Sequence, residues 1–333
     1  MYANPTMTRR RFVGAAAALA AGSALTSCGS GDGPKAGKLR AGHLVGGCMA
    51  PLFLADATGL FSNEGLDVEL SFFGNPGDNI ASLVAGANDV VHNPFSNTVI
   101  NKEKGQDLVI VAGSGKSGLE LVARDGVGVT SLGDLSAKKG TGLKLGTLRV
   151  DTLELTAFHL LKSEGLSYQD FDMVFFNDLL AMGQALINKD VDVCTVVQPY
   201  AALVIEEAQG TYIGNNETAW GKNAPDCVIT MKRPLVERQP DTVKRYLRAV
   251  LKANDQIDRD FQGSFKALSD GKYFKVPEEP LAEGLKRQPP QVRLDDQAIT
   301  AMDKGVGDMR ALGYVKRTET KDVLSLDLLE TVA

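Results

Sequence analysis

The sequence predicts a two-lobed α/β protein, and three observations carry that prediction. Strand-like and helix-like segments alternate at short spacing from Leu39 onward, the pattern of parallel sheets joined by crossover helices. The alternation runs through one series to Ala112 and a second from Lys144 to Met231, with no long low-complexity spacer between them. The 333 residues correspond to about two domains at roughly 100–200 residues each, and a 44% hydrophobic content can fill a large core.

In the first series, residues 39–45 read as a strand. Residues 50–61 carry apolar side chains at helical spacing and are closed by Asn63-Glu64-Gly65. Residues 67–73 form a second strand with Val68, Leu70 and Phe72 alternating. A short helix over 78–87, a strand over 89–92, a helix over 96–104 stopped by Gly105, and a buried strand over 108–112 follow. The second series places strands at 144–148, 172–176 and 191–197 and helices at 153–164, 179–188 and 201–209. Residues 227–231 read as a further strand, and 119–123 as extended. Beyond them the chain turns helical, over 240–261, 281–287, 296–312 and 322–329, the first with Val243, Tyr246, Leu247, Val250, Leu251 and Ile257 on one face.

The N-terminus is of another kind. Thr8-Arg9-Arg10-Arg11-Phe12-Val13-Gly14 leads into a run of fifteen apolar or small residues, 12–26. That run is shorter than the roughly 20 residues a bilayer span needs. A charged start, a short apolar stretch and small residues before a processing point make residues 1–27 a secretion signal, and the Arg pair before Phe fits the twin-arginine type. Leu25-Thr26-Ser27-Cys28 resembles the bacterial lipobox, in which Cys28 becomes the lipidated first residue; the alternative is an ordinary cysteine behind a conventional signal. Residues 28–38 then make a flexible, lipid-anchored tether. Removing residues 1–27 takes away three Arg and no acid, so the net charge moves from −5 to −8. The expected location is outside the cytoplasm, in the periplasm or at the cell surface, on a membrane through the lipid.

Composition and motifs exclude several functions. With 36 basic against 41 acidic residues the chain lacks the basic excess of a dedicated nucleic-acid binder. Four Cys are too few for a disulfide-stapled scaffold. Gly113-Ser114-Gly115-Lys116-Ser117-Gly118 has the glycine spacing of a dinucleotide loop, but the residues after it look extended and position 138 is Lys rather than an acid. It is no P-loop either, because Ile110 stands where the first glycine belongs. The remaining reading is a glycine-rich turn whose backbone approaches another segment or a ligand. His43, His92 and His159 form no metal-ligand spacing with one another or with Cys, so no metal and no cofactor is expected. His159 reads as structural. A Cys194–Cys227 bridge stays open in an oxidising compartment. No nucleophile elbow is present and no catalytic residue is expected.

Several segments resemble one family. Ala50-Pro-Leu-Phe-Leu-Ala-Asp-Ala-Thr-Gly-Leu-Phe61 with Glu64-Gly-Leu-Asp-Val-Glu69 is similar to the start of the periplasmic solute-binding proteins of the nitrate/sulfonate/taurine and thiamine-precursor group. Ile80-Ala-Ser-Leu-Val-Ala-Gly-Ala-Asn-Asp-Val90, and Ala185-Leu-Ile-Asn-Lys-Asp-Val-Asp-Val193 with Gln198-Pro-Tyr200, resemble later segments of the same group. The resemblance covers roughly 39–260.

It implies a type II periplasmic-binding-protein fold, with two α/β lobes joined by two crossover strands and a ligand cleft between. Lobe I would comprise 39–120 and 229–333 and lobe II 121–228, with crossovers near 119–124 and 226–232. The implied activity is capture of a small solute by hinge closure, without catalysis, and delivery to an ABC-transporter permease; a monomer is expected. An enzyme on the same fold, as in thiamine-pyrimidine synthesis, and an extracytoplasmic sensor domain are the alternatives. Expected ligand contacts lie in loops after strands. In lobe I these are Gly47, Cys48, Met49, Asn75, His92, Asn93 and Ser114; in lobe II they are Arg149, Asp151, Thr152, Asn177, Gln198 and Tyr200. Arg149 precedes a helix start and suits an anion, against the alternative of a surface Arg paired with Asp151 or Glu154. Arg149-Val150-Asp151 departs from the small residues usual at this turn, so the resemblance does not select between nitrate- or sulfonate-like anions and planar heterocycles.

Overall fold

A computed structural model describes residues 37–332. The expected secretion signal, Cys28 and all but the end of the expected tether lie outside the described residues. In chain order the first half-series is β1 (Lys38–His43), α1 (Ala50–Ala57), α2 (Leu60–Asn63), β2 (Asp67–Phe72), α3 (Pro76–Ala85), β3 (Val90–Pro94), α4 (Phe95–Glu103) and β4 (Leu108–Gly113). Next come β5 (Leu119–Ala123), β6 (Lys144–Leu148), α5 (Thr152–Ser163), β7 (Asp172–Phe176), α6 (Leu179–Ile187), β8 (Val193–Val197), α7 (Tyr200–Ala208), β9 (Thr211–Asn215) and α8 (Asn216–Trp220). The chain closes with β10 (Cys227–Lys232), α9 (Arg233–Arg238), α10 (Pro240–Arg259), α11 (Phe261–Asp270), α12 (Glu278–Arg287), α13 (Asp296–Ala311), α14 (Thr320–Val323) and α15 (Asp327–Glu330).

Two five-stranded sheets result, ordered β2-β1-β3-β10-β4 and β7-β6-β8-β5-β9. The β-α-β alternation predicts parallel pairing, and β1 does run parallel to β2 and β3, as β6 does to β7 and β8. Both sheets are nevertheless mixed. β10 is antiparallel to β3 and β4, and β5 is antiparallel to β8 and β9. The reason is connectivity: each of these strands enters its sheet from the other lobe, so it runs against its neighbours. The expected crossovers at 119–124 and 226–232 are therefore strands inside the lobes, and the chain passes between sheets just before each, at 114–118 and 221–226.

A third segment shares this junction. Gly113 N donates to Val292 O at 2.9 Å, Gln291 N to Ser114 O at 3.1 Å, and Lys116 N to Pro289 O at 3.1 Å, while Lys116 also bridges to Pro225. The glycine-rich motif is what lets these backbones touch. A Cβ on Gly113 would collide with the Gln291 carbonyl oxygen, and Gly118, at φ +74°, would collide with the Gln288 side chain.

Other differences from the sequence expectation have local causes. The helix expected over 50–61 breaks into α1 and α2 because Gly59 adopts a left-handed φ of 70°. The helix expected over 322–329 is two short turns, since Leu324 is extended at ψ 139°. β9 and α11 were not expected; β9 is a short edge strand with half-buried side chains and weak alternation.

The first lobe's core packs α1 and the apolar face of α10 together, with Phe53, Leu54, Tyr246, Leu247 and Val250 at most 1% exposed. A second cluster crosses the lobes on the junction side. It joins Phe95, Val99 and Ile110 to Leu121, Leu145 and Leu155 through Trp220, Met302 and Val306. Among the described residues no helix is long and apolar enough to cross a membrane.

Candidate functional site

The C-terminal ends of β2, β6 and β7 face one cleft, and each of these three strands is followed by a turn into a helix capped by a side chain. Asn75 caps α3, accepting from Gly77 N at 2.6 Å, with Pro76 preset for the first turn. Asp151 caps α5 through Oδ1, which accepts from Leu153 N at 3.0 Å, and Asp178 caps α6. Between the lobes lies an open cleft of about 450 Å³. Its walls include Asn75, Asn97 and Lys104 from the first lobe and Arg149, Asp151 and Asn177 from the second. At its edge Asn75 Nδ2 donates to Asn177 O at 3.0 Å. Replacing Asn75 with Ala removes both this cross-lobe bond and the α3 cap. A stability loss of about 1–2 kcal/mol is expected in urea titration, with more open particles by small-angle X-ray scattering.

Deeper in, the lobes touch. Gly47 N donates to Gln198 O at 2.6 Å, and Thr152 Oγ1 to Asp226 Oδ1 at 3.1 Å. A small, partly open space of about 10 Å³ remains here, where Cys48, Asp151, Asp226 and Cys227 meet a largely apolar wall that includes Leu119, Leu153 and Val197. Asp226 Oδ2 accepts from Gln288 Nε2 at 2.9 Å, and Gln288 Oε1 accepts from Cys48 N at 3.1 Å. Burial pushes the Asp151 carboxyl up to about 7, with Asp226 nearby adding to the rise, and burial also raises Asp226. Burial likewise pushes the Cys48 thiol up to about 12 and the Cys227 thiol well above its ordinary value.

The expected contact residues divide by position. Cys48, Asn75, Arg149, Asp151 and Asn177 border the cleft or its inner end. Gly47, Thr152 and Gln198 join the lobes by the bonds just described. Met49 is packed in the first lobe's core and Tyr200 in the second lobe's. Asn93 Oδ1 accepts from Asn79 Nδ2 at 3.0 Å within the first lobe. His92 is wholly buried, with Nε2 2.9 Å from Tyr246 Oη and Nδ1 2.8 Å from Ser114 Oγ. Ser114 Oγ donates onward to Cys48 O at 2.6 Å, so the tautomer assigned by this chain has Nδ1 protonated. Burial holds His92 down to about 3, hence neutral. His159 is structural, its Nδ1 2.7 Å from Asp308 Oδ2.

Arg149 is exposed, and its guanidinium lies 4.3 Å from the centroid of the Phe175 ring. Val150, beside it, takes a left-handed φ of 61°, held by its N–H donating to Glu154 Oε2 at 2.6 Å. The bridge left open between Cys194 and Cys227 is overturned. Cys227 Sγ lies 2.9 Å from Cys48 Sγ, whereas Cys194 Sγ faces Met182 O in the other lobe. Asp226, at the inner end of the cleft, and Gln288, which donates to it from behind, are residues that the sequence reading missed. An acid directly ahead of the apolar strand Cys227–Lys232 was the one signal for Asp226; Gln288 had none, since it arrives from a distant helix end.

Residues 48–259 match the family described as NMT1/THI5 like. The chain belongs to that family. Among curated relatives, YtlA of Bacillus subtilis, designated a binding protein, is 21% identical to this family member over 63% of its length, which spans 62% of YtlA. The ligand-binding component of an ABC-type import system from Staphylococcus aureus, solved with zinc bound, superposes with a TM-score of 0.77 at 16% identity, covering 89% of this chain and 99% of that one. The alkanesulfonate-binding protein SsuA from Xanthomonas axonopodis pv. citri, bound to MOPS, gives 0.74 at 15% identity, covering 87% and 98%. The family member thus has the periplasmic-binding-protein fold, with two α/β lobes.

Proposed function

We propose that this protein is the extracytoplasmic solute-binding component of an ABC-type importer, non-catalytic and held at a membrane through Cys28. One observation carries the reading. Asn97 Nδ2 from the first lobe and Asp151 Oδ2 from the second are buried polar atoms without partners, and both residues line the 450 Å³ cleft. A buried polar group left unpaired costs about 1–3 kcal/mol. A solute that satisfies both atoms does so only with the lobes together, and that differential contact is what biases a hinge toward closure. Family membership, the fold and the secretion signal in residues 1–27 support the same reading.

The named neighbours hold unlike cargo, so the fold does not choose the solute. Charge is distributed unevenly along the cleft: Lys104 and Arg149 stand toward the mouth, whereas Asp151 and Asp226 stand at the inner end. An anionic group on the solute would find Lys104 and Arg149 near the mouth, while its remaining polar groups reach Asn97 and Asp151 farther in.

The test is a thermal-shift screen of nitrate, alkanesulfonates, pyrimidine-type heterocycles and divalent metals, followed by calorimetry on the hit. A ligand that binds the folded state alone raises the melting temperature. Asn97→Ala is expected to weaken the hit roughly tenfold, the loss of one buried hydrogen bond. Unchanged affinity in both Asn97→Ala and Asp151→Ala would move the solute out of this cleft and sink the proposal.

A further inference from the structure

The inner end of the cleft has a composition that the proposed solute-binding role does not by itself explain. Cys48, Asp226 and Cys227 each offer a ligand atom, these atoms all lie within 4.8 Å of one another, and none of the three residues is more than 2% exposed. The two sulfurs are 2.9 Å apart, and Cys227 Sγ is 3.5 Å from Asp226 Oδ2. Asp151, 3% exposed and contributed by the other lobe, borders the same space with Oδ2 unpartnered. No Lys, Arg or His borders that space. The space itself is about 10 Å³, close to the least that holds one water and too small for an organic solute.

We infer that Cys48, Cys227, Asp226 and Asp151 form a site for a thiophilic divalent cation of the zinc class, which is the solute, or the metal portion of the solute, over which the lobes close. Two sulfurs and two carboxylate oxygens are a donor set for tetrahedral coordination of such an ion. The sulfurs would part by under about 1 Å to reach the roughly 3.7 Å separation of a tetrahedral dithiolate with 2.3 Å bonds. On binding, each thiol gives its proton to solvent and the ion takes the two thiolates. Thr152 Oγ1 and Gln288 Nε2 already hold the Asp226 carboxylate in place, the outer support that a metal-ligating carboxylate requires. Cys48 and Cys227 sit on the first lobe and Asp151 on the second, so the ion gains its last ligand only on closure.

This inference rests on the reading of the chain as a protein that closes over its solute, and the test separates the two. Untagged protein, reduced and stripped of metal, is titrated with Zn2+ by calorimetry and with Co2+ by absorption. One ion per chain is expected, with a sulfur-to-cobalt charge-transfer band. Cys48→Ser and Cys227→Ser are each expected to abolish the band and lower zinc affinity at least a hundredfold, and Asp151→Asn at least tenfold. Circular dichroism melting reports whether each variant is folded; Cys48→Ala and Cys227→Ala stand in for any serine variant that is not. Stoichiometric binding that survives in both cysteine variants overturns the inference. So does a Cys48–Cys227 disulfide that, once reduced, takes up no ion. Zinc affinity unchanged in Asp151→Asn overturns the closing role. A nonmetal solute that stabilises the protein while no metal binds removes the metal site and leaves the binding-protein reading standing. Failure of every solute and metal to raise the melting temperature or compact the particle removes both.

Discussion

Replacing Trp220 with Ala is expected to cost about 3–5 kcal/mol, the range for removing a buried indole. Trp220 is 1% exposed and packs edge-on against Phe95, ring centroids 5.9 Å apart. The two rings come from different lobes and meet under α13, where Gly305 leaves room for Phe95. Trp220 Nε1 also donates to Asp308 Oδ2 at 3.0 Å, and the same carboxylate faces His159 Nδ1. The substitution therefore leaves a cavity, removes a donor from a buried carboxylate and detaches α13 from α8. Chemical denaturation should show the full loss, and calorimetry a fall in melting temperature on the order of 10 °C. A change below about 1 kcal/mol would mean that the cross-lobe cluster collapses around the gap, in conflict with its dense packing.

The second large effect is expected at Gly113. A side chain there meets the Gln291 carbonyl oxygen and Leu294 Cδ2, so Gly113→Val must push the 288–292 segment off β4. That breaks the Gly113 N to Val292 O bond and loosens the junction through which the lobes are tied. Overpacking of this kind costs about 1–3 kcal/mol, and more where backbone must move. Gly307→Ala is the control. Gly307 lies within α13 with no atom inside 4 Å of the added methyl, so it is expected to stabilise by about 0.5–1 kcal/mol. Loss of stability in Gly113→Val without change in solute affinity would confine the residue to folding. Loss of both, with Gly307→Ala binding normally, would place it in the hinge.

Much of the architecture was legible because it rests on local chemistry. The period-two strand over β2, the one-sided α10 and the Gly stops after α4 and α5 are all written in short windows of sequence. Helix-start chemistry also showed where one lobe presents its cleft turn, at Arg149-Val150-Asp151. Sheet order was less accessible. β5 and β10 look like ordinary strands in sequence, and nothing in their residues records that each is inserted antiparallel after a crossing. The site divides in the same way. Asn75, Arg149, Asp151 and Asn177 lie at turns whose place in the cleft wall follows from their position after a strand. Asp226 and Gln288 act from far along the chain, 75 and 137 residues after Asp151.

By itself the sequence determined the two α/β series and the scarcity of histidine and cysteine that argued for binding over catalysis, and it raised the expectation of a secretion signal ending at Cys28. It also argued against a nucleotide at the 113–118 glycines, since the residues required around such a motif are missing, and left open whether that turn approaches another segment or a ligand. Only the tertiary structure brought Cys48 within 2.9 Å of Cys227, set Asp151 of one lobe against Asp226 at the junction, and left a space of about 10 Å³ among them. The reason is physical. Propensity, capping and periodicity act over a few residues. Contacts between residues 179 apart depend on how two lobes close, and that is settled by the packing of the whole chain.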